Sequence, residues 1–184
     1  MSNIVEKTVR AKDGAMVIIR TALPADAANL LEHVYAIFAE PEFVLSTLDD
    51  FHNTEEQEAS WLEMNLNDSG KLVIVAEAEG HIIGMLNFRN GERKRIAHLG
   101  EFGMSVLKAW RNRGIGRALL STLIQWAQQH PVIEKVCLDV FATNAGAIAL
   151  YEALGFREEG WMRREIKLGP GKYVDTIRMA LFVK

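Results

Sequence analysis

Arg111-Asn112-Arg113-Gly114-Ile115-Gly116-Arg117 is the stretch on which the fold and function of this chain turn. It joins an apolar, strand-like segment to the clearest amphipathic helix in the sequence. Glycines at 114 and 116 leave backbone N–H groups uncovered, so an anion can approach them closely. The start of a helix adds partial positive charge and the flanking arginines add full charges. A pyrophosphate suits such a nest, although Gly-x-Gly can also be a plain tight turn with solvated arginines. Between Glu101 and Glu134 there is no acidic residue, while Lys108, Arg111, Arg113 and Arg117 fall within ten positions. That one-sided window, with the strand–turn–helix setting, favours the phosphate reading. A P-loop requires Gly-Lys-Ser/Thr, and here Arg117-Ala118 follows Gly116. A dinucleotide fingerprint requires a third glycine, where Leu119 stands.

Outward from the loop, periodicity yields a mixed α/β order. Ala15–Thr21 reads as a strand. Pro24 opens a helix carrying Ala27, Leu30, Leu31, Val34 and Phe38 at helical spacing. Thr54 with Gln57 forms a capping box for a second helix, whose buried face is Trp61, Leu62 and Leu66. Lys71–Glu77 and His81–Arg89 form a hairpin across Glu79-Gly80. A further turn starts at Asn90-Gly91, and Ile96–Val106 returns as a strand. Arg117–Gln129 is a helix with Leu119, Leu120, Leu123, Ile124 and Ala127 on one face. Lys135–Phe141 is apolar on both faces, as a central strand is. Ala145–Leu154 is a short helix stopped by Gly155. Phe156–Lys167 and Tyr173–Phe182 flank Gly169-Pro170-Gly171 as a closing hairpin. The expected order is βααβββαβαββ: a single domain over 1–184, with a mixed, mostly antiparallel sheet flanked by helices.

Length and composition agree with one ordinary globular unit. The chain has 184 residues, 49% of them hydrophobic and 24% charged, and these values exclude disordered and fibrous classes. The longest uncharged stretch, Ala118–Ile133, is interrupted by Ser121, Thr122, Gln125 and Gln128, so no membrane span is expected. MSNIVEKTVR lacks a signal-peptide core, and a cytoplasmic location is expected. Cys137 is alone, which rules out an internal disulfide and a cysteine-rich zinc site, and the five histidines show no ligand spacing. No metal is therefore expected. A net charge of −3 argues against a nucleic-acid partner. Charge is nonetheless polarised: Thr21–Gly70 holds 11 acidic residues and no Lys or Arg. Such a mouth could attract a cation, and capped, solvated helices explain the same residues without one. Trp61, Trp110, Trp126 and Trp161 read as core or pocket walls.

The Arg-x-x-Gly-x-Gly loop, followed by Asn144-x₆-Tyr151-x₃-Gly155-Phe156, resembles the GCN5-related N-acetyltransferase (GNAT) superfamily. The likeness covers nearly the whole chain and is most specific over 101–182. There it is similar to ribosomal-protein N-terminal and polyamine N-acetyltransferases. It implies acetyl-CoA as co-substrate and direct transfer of the acetyl group to a primary amine, such as a small amine, polyamine, amino acid or protein N-terminus. It also implies that Arg111, Asn112, Arg113, Gly114, Ile115, Gly116 and Arg117 cradle the pyrophosphate. Met104, Ser105 and Val106 would offer backbone groups to the pantetheine arm where the strands 101–106 and 135–141 splay. A backbone N–H near Val106 would serve the thioester oxyanion. Asn144 would contact the cofactor arm, or simply cap its helix.

Tyr151 matches the family's general acid, and as a bare residue it is equally an aromatic on a packed helix face. For the base, Asp139 and Glu101 compete, either could instead be a structural partner of an arginine, and a water chain could serve without them. The resemblance places the acceptor beside 21–70 and the closing hairpin, which favours a cationic amine. It leaves a homodimer open. An idle acyl-CoA-binding sensor of the same fold is the alternative, and Tyr151 separates the two because a sensor has no use for an acid there.

Overall fold

The computed structural model describes residues 3–184. Eight strands and four α-helices follow the order β1 (Lys7–Arg10), β2 (Met16–Thr21), α1 (Ala27–Phe38), α2 (Glu55–Asn67), β3 (Lys71–Ala78), β4 (His81–Asn90), β5 (Leu99–Val106), α3 (Ile115–Gln129), β6 (Lys135–Phe141), α4 (Ala145–Ala153), β7 (Arg157–Gly169) and β8 (Lys172–Phe182). This is a mixed α/β fold. The pairings of β1 with β2, β2 with β3, β3 with β4, β6 with β8 and β7 with β8 are antiparallel, and that of β5 with β6 is parallel. Relative to the sequence reading, one strand is added and one is shortened. β1 carries only Val9 as an apolar residue in Lys-Thr-Val-Arg, so no hydrophobic alternation announces it. It is held by its register on β2, from Lys7↔Ile19 to Arg10↔Met16. β5 starts at Leu99, and turns occupy the preceding residues.

The chain divides into two compact units. The first runs up to Arg89 and resumes for Gly103–Trp126. The second comprises Asn90–Phe102 and Ala127–Lys184. In the first unit, hydrogen-bonded neighbours run β1-β2-β3-β4. β3 is buried at Leu72, Val73, Ile74, Val75 and Ala76 alike, because both of its faces are covered. Val73 and Val75 pack with Ala22, Ala27, Leu30, Leu62 and Ile82, bringing α1 and α2 onto one face. Each large side chain fully buried there stabilises by about 2 kcal/mol. Gly84 in β4 permits close approach of α3, since a Cβ there would stand 3.2 Å from Leu119 Cδ1 and 3.4 Å from Ile115 Cγ2. α2 begins as its sequence requires. Thr54 Oγ1 accepts from the Gln57 N–H at 3.3 Å, and Gln57 Oε1 accepts from the Thr54 N–H at 2.9 Å.

In the second unit, β6 lies between the start of β5 and β8, and β7 flanks β8. The parallel pairing of β5 with β6 runs for three pairs, Leu99↔Lys135, Gly100↔Val136 and Glu101↔Cys137. β8 follows β6 along its full length, from Lys135↔Phe182 to Phe141↔Thr176. α4 ends in a Schellman turn. Gly155 takes φ 95°, its N–H donates to Glu152 O, and the Phe156 N–H donates back to Tyr151 O at 3.0 Å. Among the described residues no helix is long and apolar enough to cross a membrane.

Candidate active site

In the first unit the residues following β5 form the loop that leads into α3. The Leu107 N–H donates to Ile83 O, and a single 3₁₀ turn covers Lys108–Trp110. Asn112 and Gly114 adopt left-handed backbone at φ 62° and φ 95°, which turns successive N–H groups to one side as α3 begins. Gly114 is needed for this conformation and for no packing reason, since a Cβ there would have nothing within 4 Å. Ile115 is buried and pins the first turn of α3, and the Ala118 N–H donates to Gly114 O. The backbone therefore fits a pyrophosphate: exposed N–H groups at a helix start with open space beside them.

The arginines of the loop have distinct tasks. Arg111 Nε donates to Val106 O at 3.0 Å, tying the loop to the end of β5. Arg113 pairs with Asp13 and lies over the Trp110 ring, 4.9 Å from its centroid. Its carbonyl accepts from the Lys12 N–H at 3.1 Å. Arg117 is exposed in the first turn of α3. The β1–β2 turn is thus a brace for the loop that sequence reading missed. Asp13 stands 100 residues from Arg113, and nothing in its local pattern announces the contact.

His33 is a second residue the sequence left unremarked. It is 2% exposed on α1. Its Nδ1 lies 3.2 Å from Ile82 O and its Nε2 2.8 Å from Ser105 Oγ. A carbonyl only accepts, so Nδ1 carries the proton and Nε2 accepts from the serine hydroxyl. Burial drives its pKa down to about 4, which keeps the ring neutral. Several carboxylates of the acid-only segment have local partners. Asp26 holds Arg20 at 2.7 Å, Asp68 holds Lys71 at 3.1 Å, and Asp50 caps Thr47. Glu58 is buried rather than solvated, and its carboxylate accepts from Asn53 Nδ2 at 2.9 Å.

In the second unit, Glu101, Asp139 and Arg178 meet. Arg178 Nη2 donates to Glu101 Oε1 at 2.5 Å and Nη1 to Asp139 Oδ2 at 2.7 Å. Register explains the meeting. Glu101 pairs with Cys137, Asp139 lies two residues along the same face of β6, and Arg178 pairs with Asp139 from β8. Asp139 is not enclosed, although its neighbours along the strand are apolar. Its side chain is 43% exposed, because the β5 pairing stops two residues earlier. Burial opposes the Arg178 cation, but the Glu101 hydrogen bond and the Asp139 charge outweigh it and raise its pKa. Cys137 on this face is buried, and burial pushes its thiol up, away from reactive thiolate.

Tyr151 stands on α4 in an aromatic cluster, 5.9 Å from the Phe102 ring and 6.0 Å from Phe156. The Schellman turn sets the second contact, since it brings the residue after Gly155 back over Tyr151. Tyr151 is 8% exposed, and burial pushes its phenol up to about 12. Asn144 caps the same helix, with Oδ1 accepting from the Ala147 N–H at 3.2 Å. Trp161, expected as a core or pocket wall, is not in the core: it is 51% exposed and donates Nε1 to Asp175. β7 is bulged beside it, which turns that side chain outward.

Comparison with known proteins agrees with this arrangement. The model of the acetyltransferase (GNAT) family matches residues 31–156. The chain is 32% identical to the L-amino acid N-acetyltransferase AaaT of Escherichia coli, over 89% of this chain and 96% of that one. It is 41% identical to the ribosomal protein bS18-alanine N-acetyltransferase of Salmonella typhimurium, over 44% of this chain and 53% of the relative. A GNAT-family acetyltransferase structure from Streptococcus pneumoniae superposes with a TM-score of 0.87 at 30% identity, covering 90% of this chain and 99% of that one. The yncA structure from Salmonella typhimurium, solved with its cofactor acetyl-CoA, gives 0.80 at 25% identity, with 91% and 94% covered. The chain belongs to the acetyltransferase (GNAT) family and is an acyltransferase with acetyl-CoA as its co-substrate.

Proposed function

We propose that this enzyme transfers acetyl directly from acetyl-CoA to the primary α-amine of a free amino acid or of a peptide N-terminus, within a single domain spanning 1–184. The observation that carries the reading is the loop after β5, where left-handed Asn112 and Gly114 uncover N–H groups at the start of α3. The choice of an α-amine is supported by likeness to an amino-acid N-acetyltransferase along nearly its full length, and to a ribosomal-protein alanine acetyltransferase along about half of its own.

Acetyl-CoA supplies an activated acyl carbon and a thiolate leaving group. Arg111–Arg117 would hold its pyrophosphate. Backbone groups of Met104, Ser105 and Val106 would hold the pantetheine arm, Asn144 would contact that arm while capping α4, and the Val106 N–H would take the oxyanion. An α-ammonium must lose a proton before it attacks. Asp139 or Glu101 is assigned to that step, directly or through water; each gives one oxygen to Arg178, which fixes its orientation. Their pair of charges against one cation leaves the cluster anionic, which suits a cationic acceptor. Tyr151 is assigned as the acid for the departing thiolate. Its raised pKa keeps the phenol protonated, so its proton moves only as the C–S bond breaks.

The test is thiol release from acetyl-CoA with L-amino acids, alanine- and serine-headed peptides, spermidine and an aminoglycoside. Turnover with the first two classes is expected. Turnover confined to spermidine or the aminoglycoside would overturn the α-amine assignment. Tight acetyl-CoA binding without turnover of any amine would overturn transfer.

A further inference from the structure

We propose that His33 is a positioning residue that commits the Ser105 hydroxyl hydrogen inward, so that Ser105 Oγ meets a bound molecule as a pure acceptor and selects an N–H donor. The inference rests on the assignment of Met104–Val106 to the cofactor arm. Its geometry is nonetheless independent of the carboxylates and of Tyr151.

Ile82 O can only accept, and it stands 3.2 Å from His33 Nδ1. The proton of a neutral imidazole is therefore on Nδ1, and Nε2 has a lone pair to offer. Ser105 Oγ, 2.8 Å away, must donate to that lone pair. A serine hydroxyl has one hydrogen and two lone pairs, so its hydrogen is spent and only acceptor capacity remains. The ring cannot tumble to release it. His33 is 2% exposed, seated between α1 and β4, and burial disfavours the protonated ring that would reverse the bond. Ser105 itself is partly accessible, next to Val106, the residue whose N–H is assigned to the oxyanion.

A freely rotating serine would serve donors and acceptors alike. One locked as an acceptor favours N–H and disfavours a carbonyl or carboxylate at the same place. Two molecules of the reaction carry N–H groups: the pantetheine amides and the attacking amine. Separate measurements distinguish them.

The variants are Ser105→Ala, His33→Asn and His33→Gln. Asparagine can keep the donation to Ile82 O and lose the acceptor for Ser105. Glutamine can restore an acceptor near the Nε2 position. Acetyl-CoA affinity is read by calorimetry, and KM and kcat are read with L-alanine, L-methionine and an alanine-headed tetrapeptide. Loss of one well-placed hydrogen bond predicts roughly a tenfold weakening. Ser105→Ala and His33→Asn should weaken the same step alike, their double variant should be no worse than either, and His33→Gln should recover part of the loss. Weakened acetyl-CoA binding identifies a pantetheine amide as the donor; a raised amine KM with acetyl-CoA affinity intact identifies the amine.

If folded Ser105→Ala leaves both affinities within twofold of the wild type, the proposal is wrong. If His33→Asn alters thermal stability alone, His33 is structural and the positioning role fails. Absence of acetyl-CoA binding by the unaltered protein would instead sink the cofactor-arm assignment, which keeps the two failures apart.

Discussion

Replacing Tyr151 by phenylalanine separates catalysis from packing more cleanly than any other single change here. The ring is held by Phe102 at 5.9 Å and Phe156 at 6.0 Å, and by the Schellman turn that closes on its own carbonyl. Phenylalanine keeps all of these contacts, so stability should stay within about 1 kcal/mol, whereas alanine would forfeit about 3–5 kcal/mol. The oxygen is what is lost. Without a positioned acid the thiolate must take its proton from water, and kcat should fall by about a hundredfold to ten-thousandfold with acetyl-CoA affinity unchanged.

The same residue predicts a pH signature. Burial holds the phenol proton up to about 12, against an ordinary value of 10.0. The unfolded chain therefore ionises first, and Tyr151 contributes stability that is complete below pH 10 and lost as pH rises towards 12. Tyr151→Phe should flatten this part of the curve in denaturant titrations. Activity should show no alkaline limb from Tyr151 below about pH 11. The assay is thiol release from acetyl-CoA at saturating amine, from pH 6 to 10.5. A Tyr151→Phe enzyme retaining kcat within threefold, or a wild-type alkaline limb near pH 9 that the substitution abolishes, would refute the assignment.

Gly114→Ala probes the loop. Since its Cβ would touch nothing, the cost is the left-handed backbone alone, about 1–2 kcal/mol, or a melting temperature lower by roughly 2–8 °C. If the loop relaxes to relieve the strain, acetyl-CoA affinity measured by calorimetry falls as well, and unchanged affinity would disconnect Gly114 from the phosphate site. His33 makes the fold acid-sensitive. Its pKa lies near 4 when folded and at 6.5 when free, so the unfolded chain binds the proton first. Its contribution is full above pH 6.5 and lost as pH falls towards 4, on the order of 3 kcal/mol. Urea midpoints at pH 7 and pH 5 should differ for the wild type and converge for His33→Asn.

Much of this arrangement is legible in local sequence, because local physics creates it. Thr54 and Gln57 satisfy one another's backbone, Glu79-Gly80 makes the turn between β3 and β4, and Gly155 stops α4, each through contacts within a few residues. The Gly155-Phe156 pair shows how far such signals reach. It ends a helix and, through the same hydrogen bonds, places one aromatic ring against Tyr151. What stayed hidden depends on chain segments far apart in sequence. β1 has no alternation to read because Lys-Thr-Val-Arg presents charges on a strand that, among the described residues, pairs with β2 alone. The Asp13–Arg113 pair and the His33–Ser105 bond join residues 100 and 72 positions apart, and neither side chain is unusual in its own neighbourhood.

Asp139 illustrates the subtler failure. Its strand is apolar, and an apolar strand read alone implies a buried carboxylate that must justify its charge. The structure leaves it nearly half exposed, since β5 stops pairing with β6 at Cys137, and gives it Arg178 from the facing register of β8. The position where two strands cease to pair cannot be read from either strand. The loop between β5 and α3 is tied back to the end of β5, since Arg111 Nε donates to Val106 O. The loop proposed to hold the pyrophosphate is therefore also bonded to the end of the strand that carries Ser105. Substitutions in Arg111–Arg117 should on this account change kcat as well as acetyl-CoA affinity. A purely electrostatic loop would change affinity alone.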